Sequence, residues 1–269
     1  MGCGIAQVFL EHGYKVVLND LNEQLLKNGA STINRNLDKS LEKGKISLET
    51  KRDALANLVY SKEIEVLNEC SLIIEAVSEN MEIKKNIFKK LDEICGSTAI
   101  LASNTSSLSI TGLSNATKRP EKVIGMHFFN PAPILQLVEI IKGLRTSAET
   151  FERVSNIILT LDKTPIKVEE SPGFIVNRLL IPMINEAVCL LAEGVAGAAE
   201  IDNAMKLGAN HPMGPLTLAD MIGLDVVLAI METLHVEMGD SKYRPHPLLR
   251  KMVRGGILGK KTKTGFYEY

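Results

Sequence analysis

The chain has 269 residues, enough for one large or two ordinary domains, and a formal charge of −1 that excludes the basic field of a nucleic-acid binder. Apolar residues make up 45%, a globular value, yet no apolar run is long and clean enough to span a bilayer, and no basic segment followed by an apolar one marks a secretory leader. The cysteines (Cys3, Cys70, Cys95, Cys189) are scattered without a C-x-x-C, which predicts small buried thiols in a reducing, cytoplasmic setting and no metal site.

The opening "MGCGIAQVFLEHG" reads as a helix stopped by Gly13, followed by a strand at 15–19 that ends at Asp20. This is the second half of a dinucleotide-binding turn. The full pattern, G-x-G-x-x-G, follows a strand and has an acid about 20 residues on. Here the last glycine is Gly2, and Asp20 comes 18 residues later. A carboxylate there accepts hydrogen bonds from a ribose diol and repels an added phosphate, so the expected cofactor is NAD rather than NADP. Taken locally, close helix packing at Gly2 and Gly4 and a helix cap at Asp20 account for the same residues.

Short apolar runs at 15–19, 72–77, 99–103 and 123–128 predict strands, and helical stretches lie at 21–43, 47–58 and 81–94. Strands alternating with helices imply crossovers and a mostly parallel, Rossmann-type sheet. The charged stretch within 21–58 reads as a helical hairpin turning at Gly44 and projecting from the sheet domain. After about Thr164 the pattern changes. "VEESPGF" at 168–174 reads as a hinge, punctuated by Pro172 and Gly173, and every later segment is helical: 174–193, with a kink expected at Pro182 and a stop at Gly194, then 199–207, 216–222, 224–238 and 247–253. The expected domains are 1–168, α/β, and 172–269, all-α, with a ligand cleft between them.

Ligands of parallel sheets sit at the carboxyl ends of the strands. Three polar clusters fall there: "EAVSEN", "SNTSS" and "HFFNP". His127 lies in the third, among apolar residues, and Glu139 lies in another apolar run, "LQLVEII", where a carboxylate needs a partner. If the two runs pair antiparallel about Pro133, His127 faces Glu139. An imidazole oriented by a carboxylate is a general base; a buried pair that merely ties two strands is the plainer reading. Ser106 and Asn177 are candidate donors to a substrate oxygen, provided that the domains close on one cleft.

At this point longer stretches speak together. "ASNTSSLSIT", "GMHFFNPAP", "LVEII", "PGFIVNRLLIPMINEA", "AMKLGANHPMGP" and the final "GKKTKTGFYEY" resemble, in order and over the whole chain, the short-chain L-3-hydroxyacyl-CoA dehydrogenases, and among these the bacterial 3-hydroxybutyryl-CoA dehydrogenases. The resemblance implies an NAD-binding Rossmann-type domain, an all-helical dimerisation domain, an acyl-CoA substrate and a homodimer working in butanoate or fatty-acid metabolism. It makes His127 the catalytic base, Glu139 its partner, and Ser106 and Asn177 the residues that position the reacting oxygen. It puts Gly2, Asp20, Glu79, Lys84, Ser106, Asn130 and Lys261 at the cofactor, and Asn36 and Lys43 of the hairpin at CoA. Lys39 and Lys45 read as a solvated helix face.

One departure stands out. The family carries about a dozen residues ahead of Met1, forming the first strand and the first two glycines of the turn. Without that strand the sheet is expected to leave two neighbours unpaired and an apolar groove open. A start assigned to an internal methionine is the simplest reading. Two other readings compete with the dehydrogenase. One is a non-catalytic binding or scaffold homologue that has lost its cofactor turn. The other is a hydroxyacid dehydrogenase with a lysine base.

Overall fold

A computed structural model describes residues 1–269, which divide into two compact units, Met1–Glu170 and Ser171–Tyr269. In the first, α1 (Gly2–Glu11) is buried nearly all round. Ile5, Val8 and Phe9 join the main sheet core, while Ala6 and Leu10 join a second cluster with Ile33, Leu37 and Ala54. Those last residues belong to α2 (Glu23–Glu42) and α3 (Leu48–Ala56). Leu26, Gly29, Ile33 and Leu37 recur at helical spacing and form the buried stripe of α2, whose first turn is capped by Asn22. The hairpin is therefore seated on α1 along this stripe, and Lys43 and Lys45 at its far turn are exposed. Gly13, at φ +79°, lets the chain leave α1 through a left-handed turn into β1 (Val16–Asn19).

β1 pairs in parallel with β2 (Leu58–Ser61), Val16 opposite Leu58. This corrects the helix expected to run to 58: α3 ends at Ala56, and Val59 and Tyr60 favour extended backbone. The larger sheet contains β3 (Leu72–Glu75), β4 (Ile100–Ser103), β5 (Val123–Phe128), β6 (Leu137–Lys142) and β7 (Thr164–Glu169), side by side in that order. Its pairs are parallel except β5 with β6. No ladder joins the two sheets, but Val16 of one and Leu72 and Ile74 of the other pack against the same core. The linking helices are α4 (Met81–Ile94), α5 (Ile110–Ser114) and α6 (Ala148–Thr160). β7, α5 and α6 were not expected from the sequence, although Val154 and Ile158 recur at helical spacing in α6 behind the Ser147 cap. β7 is an edge strand with only Val168 buried, so its polar residues hide it.

The second unit is helical: α7 (Val176–Ala192), α8 (Ala198–Gly208), α9 (Pro215–Ile222), α10 (Leu224–Met238) and α11 (Pro247–Arg254). Ile181, Ile184, Val188, Leu216, Val227, Met231 and Leu234 form its core. α7 starts later than 174 because Gly173 and Phe174 both adopt positive φ, and it is continuous through Pro182. The last residues are tied down by two buried aspartates. Asp202 accepts the N–H groups of Leu216 and Thr217 and the hydroxyl of Tyr267; Asp220 accepts the N–H groups of Phe266 and Tyr267 and the hydroxyl of Tyr269. No helix is long and apolar enough to cross a membrane. All four cysteines are thiols, Cys95 buried and the others half-buried, which corrects the expectation of full burial for each.

Candidate active site

Because β3, β4 and β5 run parallel, their carboxyl ends fall on one edge, with Glu75 opposite Ser103 and Ser103 opposite Gly125. His127 follows two residues beyond Gly125. In the antiparallel pair of β5 and β6, His127 stands opposite Glu139, so both side chains leave the same face of the sheet. Nδ1 of His127 is 2.8 Å from Oε2 of Glu139, and the two residues are 6% and 0% exposed. A carboxylate this deep needs a donor. Nδ1 of His127 is thus taken up by Glu139. The Phe129 ring lies 4.4 Å from the imidazole, centroid to centroid.

The loops after β3 and β4 are bound into one structure. Asn104 accepts from the Phe128 N–H at 2.9 Å and donates its own N–H to the Glu75 carbonyl at 2.8 Å, stitching three strand ends together. Oε1 of Glu79 gathers the Thr105 hydroxyl at 2.6 Å, the Ser106 N–H at 2.9 Å and the Ser106 hydroxyl at 3.2 Å. Burial alone would raise the Glu79 carboxyl. The Thr105 hydrogen bond, the Lys84 charge and the Ser106 donors outweigh it and hold the group below its ordinary value. Lys84, predicted as a cofactor-lining residue, is 1% exposed; its ammonium lies 2.6 Å from Glu75 and 3.4 Å from Glu79. It sits beneath the loop surface rather than on it.

The remaining candidates are spread over both units. Gly2 opens α1 beside Ala76, and a Cβ on Gly4 would touch Ala132. Asp20 is exposed at the end of β1 and accepts the Asn22 N–H. These small residues and the open carboxylate suit a dinucleotide. Asn130 is exposed where β5 leads into the turn before β6. Asn36 spends its amide on Gln7, an interaction within the hairpin's seat, and Lys43 is exposed at the hairpin end. In the helical unit, Asn177 is buried in the first turn of α7, and Lys261 is exposed and ion-paired with Asp225. Glu75, Ser103, Asn104 and Thr105 were not singled out from the sequence. The signal that could have found Glu75 is the one that found Glu139, an acid inside an apolar run, here "LIIEA".

Comparison with known proteins agrees with this picture along the whole chain. Residues 1–171 match the model of the 3-hydroxyacyl-CoA dehydrogenase NAD binding domain, and 173–269 match that of the 3-hydroxyacyl-CoA dehydrogenase C-terminal domain. The 3-hydroxybutyryl-CoA dehydrogenase of Clostridioides difficile is 55% identical over all of this chain and 96% of its own length. The human mitochondrial hydroxyacyl-coenzyme A dehydrogenase is 41% identical over all of this chain and 88% of its own. The crystal structure of (S)-3-hydroxybutyryl-CoA dehydrogenase from Ralstonia eutropha superposes with a TM-score of 0.97 at 49% identity, covering 100% of this chain and 95% of that one. The chain belongs to the 3-hydroxyacyl-CoA dehydrogenase family, and its first 171 residues are that family's NAD-binding domain.

Proposed function

We propose that this protein interconverts (S)-3-hydroxybutyryl-CoA and acetoacetyl-CoA with NAD. The observation that carries the chemistry is the buried His127–Glu139 hydrogen bond of 2.8 Å at the carboxyl edge of the sheet. Glu139 fixes the tautomer with Nδ1–H directed inward and stabilises the imidazolium once Nε2 has taken the hydroxyl proton. In reduction the same nitrogen returns it. Ser106, held by Glu79, donates to the substrate oxygen, and Asn177 is the helical unit's candidate donor to the same oxygen. Bound NAD supplies the hydride acceptor. Asp20 would hold its ribose, Gly2 would admit its phosphates, and Glu79, Asn130 and Lys261 would complete its surroundings, with the buried Lys84 acting through Glu79. Lys43 and Asn36 are the hairpin's contribution to CoA.

A four-carbon acyl chain is favoured by relatives at 49–55% identity that are named for 3-hydroxybutyryl-CoA, against 40% for one named for 3-hydroxyadipyl-CoA. Exposed apolar side chains on the helical unit, among them Leu179 (71%) and Leu207 (86%), support a homodimer through that unit. Four unpaired thiols fit a cytoplasmic setting. The test is His127→Gln. Turnover of acetoacetyl-CoA should fall roughly 10³-fold, within the span of general acid–base contributions, while NADH affinity stays within about twofold. A variant keeping a tenth of the parent's turnover would remove His127 from this role.

A further inference from the structure

Glu75 ends β3 inside an apolar run, its side chain is 1% exposed, and the proposed chemistry makes no use of it. Three donors converge on its carboxylate. Oε1 accepts from the Lys84 ammonium at 2.6 Å and the Val77 N–H at 2.7 Å, and Oε2 accepts from the Ser103 hydroxyl at 2.7 Å. A buried ion pair contributes little net stability compared with well-packed apolar residues, so stability alone is a weak reason for this arrangement. What the pair does have is direction.

Two separate routes lead from Glu75 to the same loop. In one, Glu75 orients the Ser103 hydroxyl, whose oxygen accepts the Thr105 N–H at 3.2 Å. In the other, Glu75 holds the Lys84 ammonium, which lies 3.4 Å from Oε2 of Glu79, while Oε1 of Glu79 holds Thr105 and Ser106. The first ends at Thr105 and the second at Thr105 and Ser106; Glu75, Ser103 and Lys84 are buried, and only Glu79 reaches the surface. We propose that Glu75 is a positioning residue for the reaction: it fixes Lys84 and Ser103 from beneath, and so sets where the Ser106 hydroxyl meets the substrate oxygen. This rests on the reading in which Ser106 serves that oxygen.

The discriminating variant is Glu75→Gln, which keeps the side chain's length and an acceptor oxygen but removes the charge that faces Lys84. Folded sites are counted by NADH fluorescence titration, and kcat per titrated site is measured with acetoacetyl-CoA. A misplaced donor costs rate at the reacting atom, so kcat per site should fall at least about tenfold with KM for acetoacetyl-CoA within about threefold, and Glu75→Asp, which restores the charge, should recover part of it. A merely structural role lowers the number of titratable sites and leaves kcat per site at the parent's value; that result overturns the proposal. Should Glu75→Gln give no folded protein, Ser103→Ala decides, because it cuts one route and spares the ion pair: a kcat per site about threefold lower supports the proposal, and an unchanged one overturns it. Ser106→Ala separates the two levels. If that variant keeps the parent's kcat, the assignment of Ser106 falls and this inference with it. If it is slow while Glu75→Gln is normal per site, this inference alone fails.

Discussion

The two units bury carboxylates in opposite ways. In the sheet unit each deep acid faces a cationic or protonatable partner: Glu75 has Lys84, and Glu139 has His127. In the helical unit Asp202 and Asp220 are filled by backbone N–H groups and by Thr and Tyr hydroxyls. Burial governs the titration of the groups around the tail. Burial raises the Asp220 carboxyl, against the lowering effect of the Phe266 and Tyr267 N–H groups. Burial and the bond to Asp202 push Tyr267 up to about 12, and burial with the nearby Asp220 charge does the same to Tyr269. A tail that needs only to be held is served by neutral donors. In the proposed reaction the site passes a proton, which needs a partner whose charge can change, and His127 is the candidate for it.

The comparison can be broken most severely at Lys84. Lys84→Met leaves Glu75 buried without its cation and should cost about 3–5 kcal/mol in denaturant unfolding. In the helical unit, Asp220→Ala leaves the N–H groups of Phe266 and Tyr267 without their acceptor and should cost less, about 2 kcal/mol, read as an earlier thermal transition and faster cleavage of the tail by carboxypeptidase. Tyr269→Phe removes a single hydroxyl from Asp220 and should cost about 1 kcal/mol or less in the same unfolding measurement. If Asp220→Ala proves costlier than Lys84→Met, the distinction drawn between charged and neutral partners is wrong.

A gentler test is pH. Glu79 is held below its ordinary value of 4.5, so its contribution is complete above 4.5 and is lost as pH falls through 4.5 and below. Asp220 is raised above its ordinary 3.8, so its contribution is greatest below 3.8 and declines as pH rises through its folded value. Hydrogen-exchange protection factors between pH 6 and 3.5 should therefore fall first at the Ser106 and Ser107 amides and hold at Phe266 and Tyr267. The reverse order would contradict both assignments.

Much of the site was readable before any coordinates because burial restricts chemistry. A histidine and a glutamate, each stranded in its own apolar run with a proline-rich turn between, have few ways to be satisfied other than by each other, and the observed register places His127 opposite Glu139. The same logic applied to Glu75 and Lys84 but was obscured by distance along the chain: Lys84 lies on a helix whose other lysines are solvated, and its burial depends on how α4 sits beneath the strand ends. Strands β2 and β7 were illegible for a different reason. They are short edge strands with little buried surface: Val59 and Tyr60 favour extended backbone but are exposed, and β7 buries only Val168, so neither shows the apolar run of a buried strand.

By itself the amino-acid order determined the alternation of strands and helices, the switch to an all-helical second half, and the pairing of His127 with Glu139, because periodicity and the cost of burying charge are local and hard to evade. Only the tertiary structure decided that the strands form two sheets joined by a shared core, that the hairpin rests on α1, and that Glu75, Lys84, Ser103 and Glu79 make one network beneath Ser106. Those arrangements depend on which surfaces meet, and that is fixed by the whole chain packing at once.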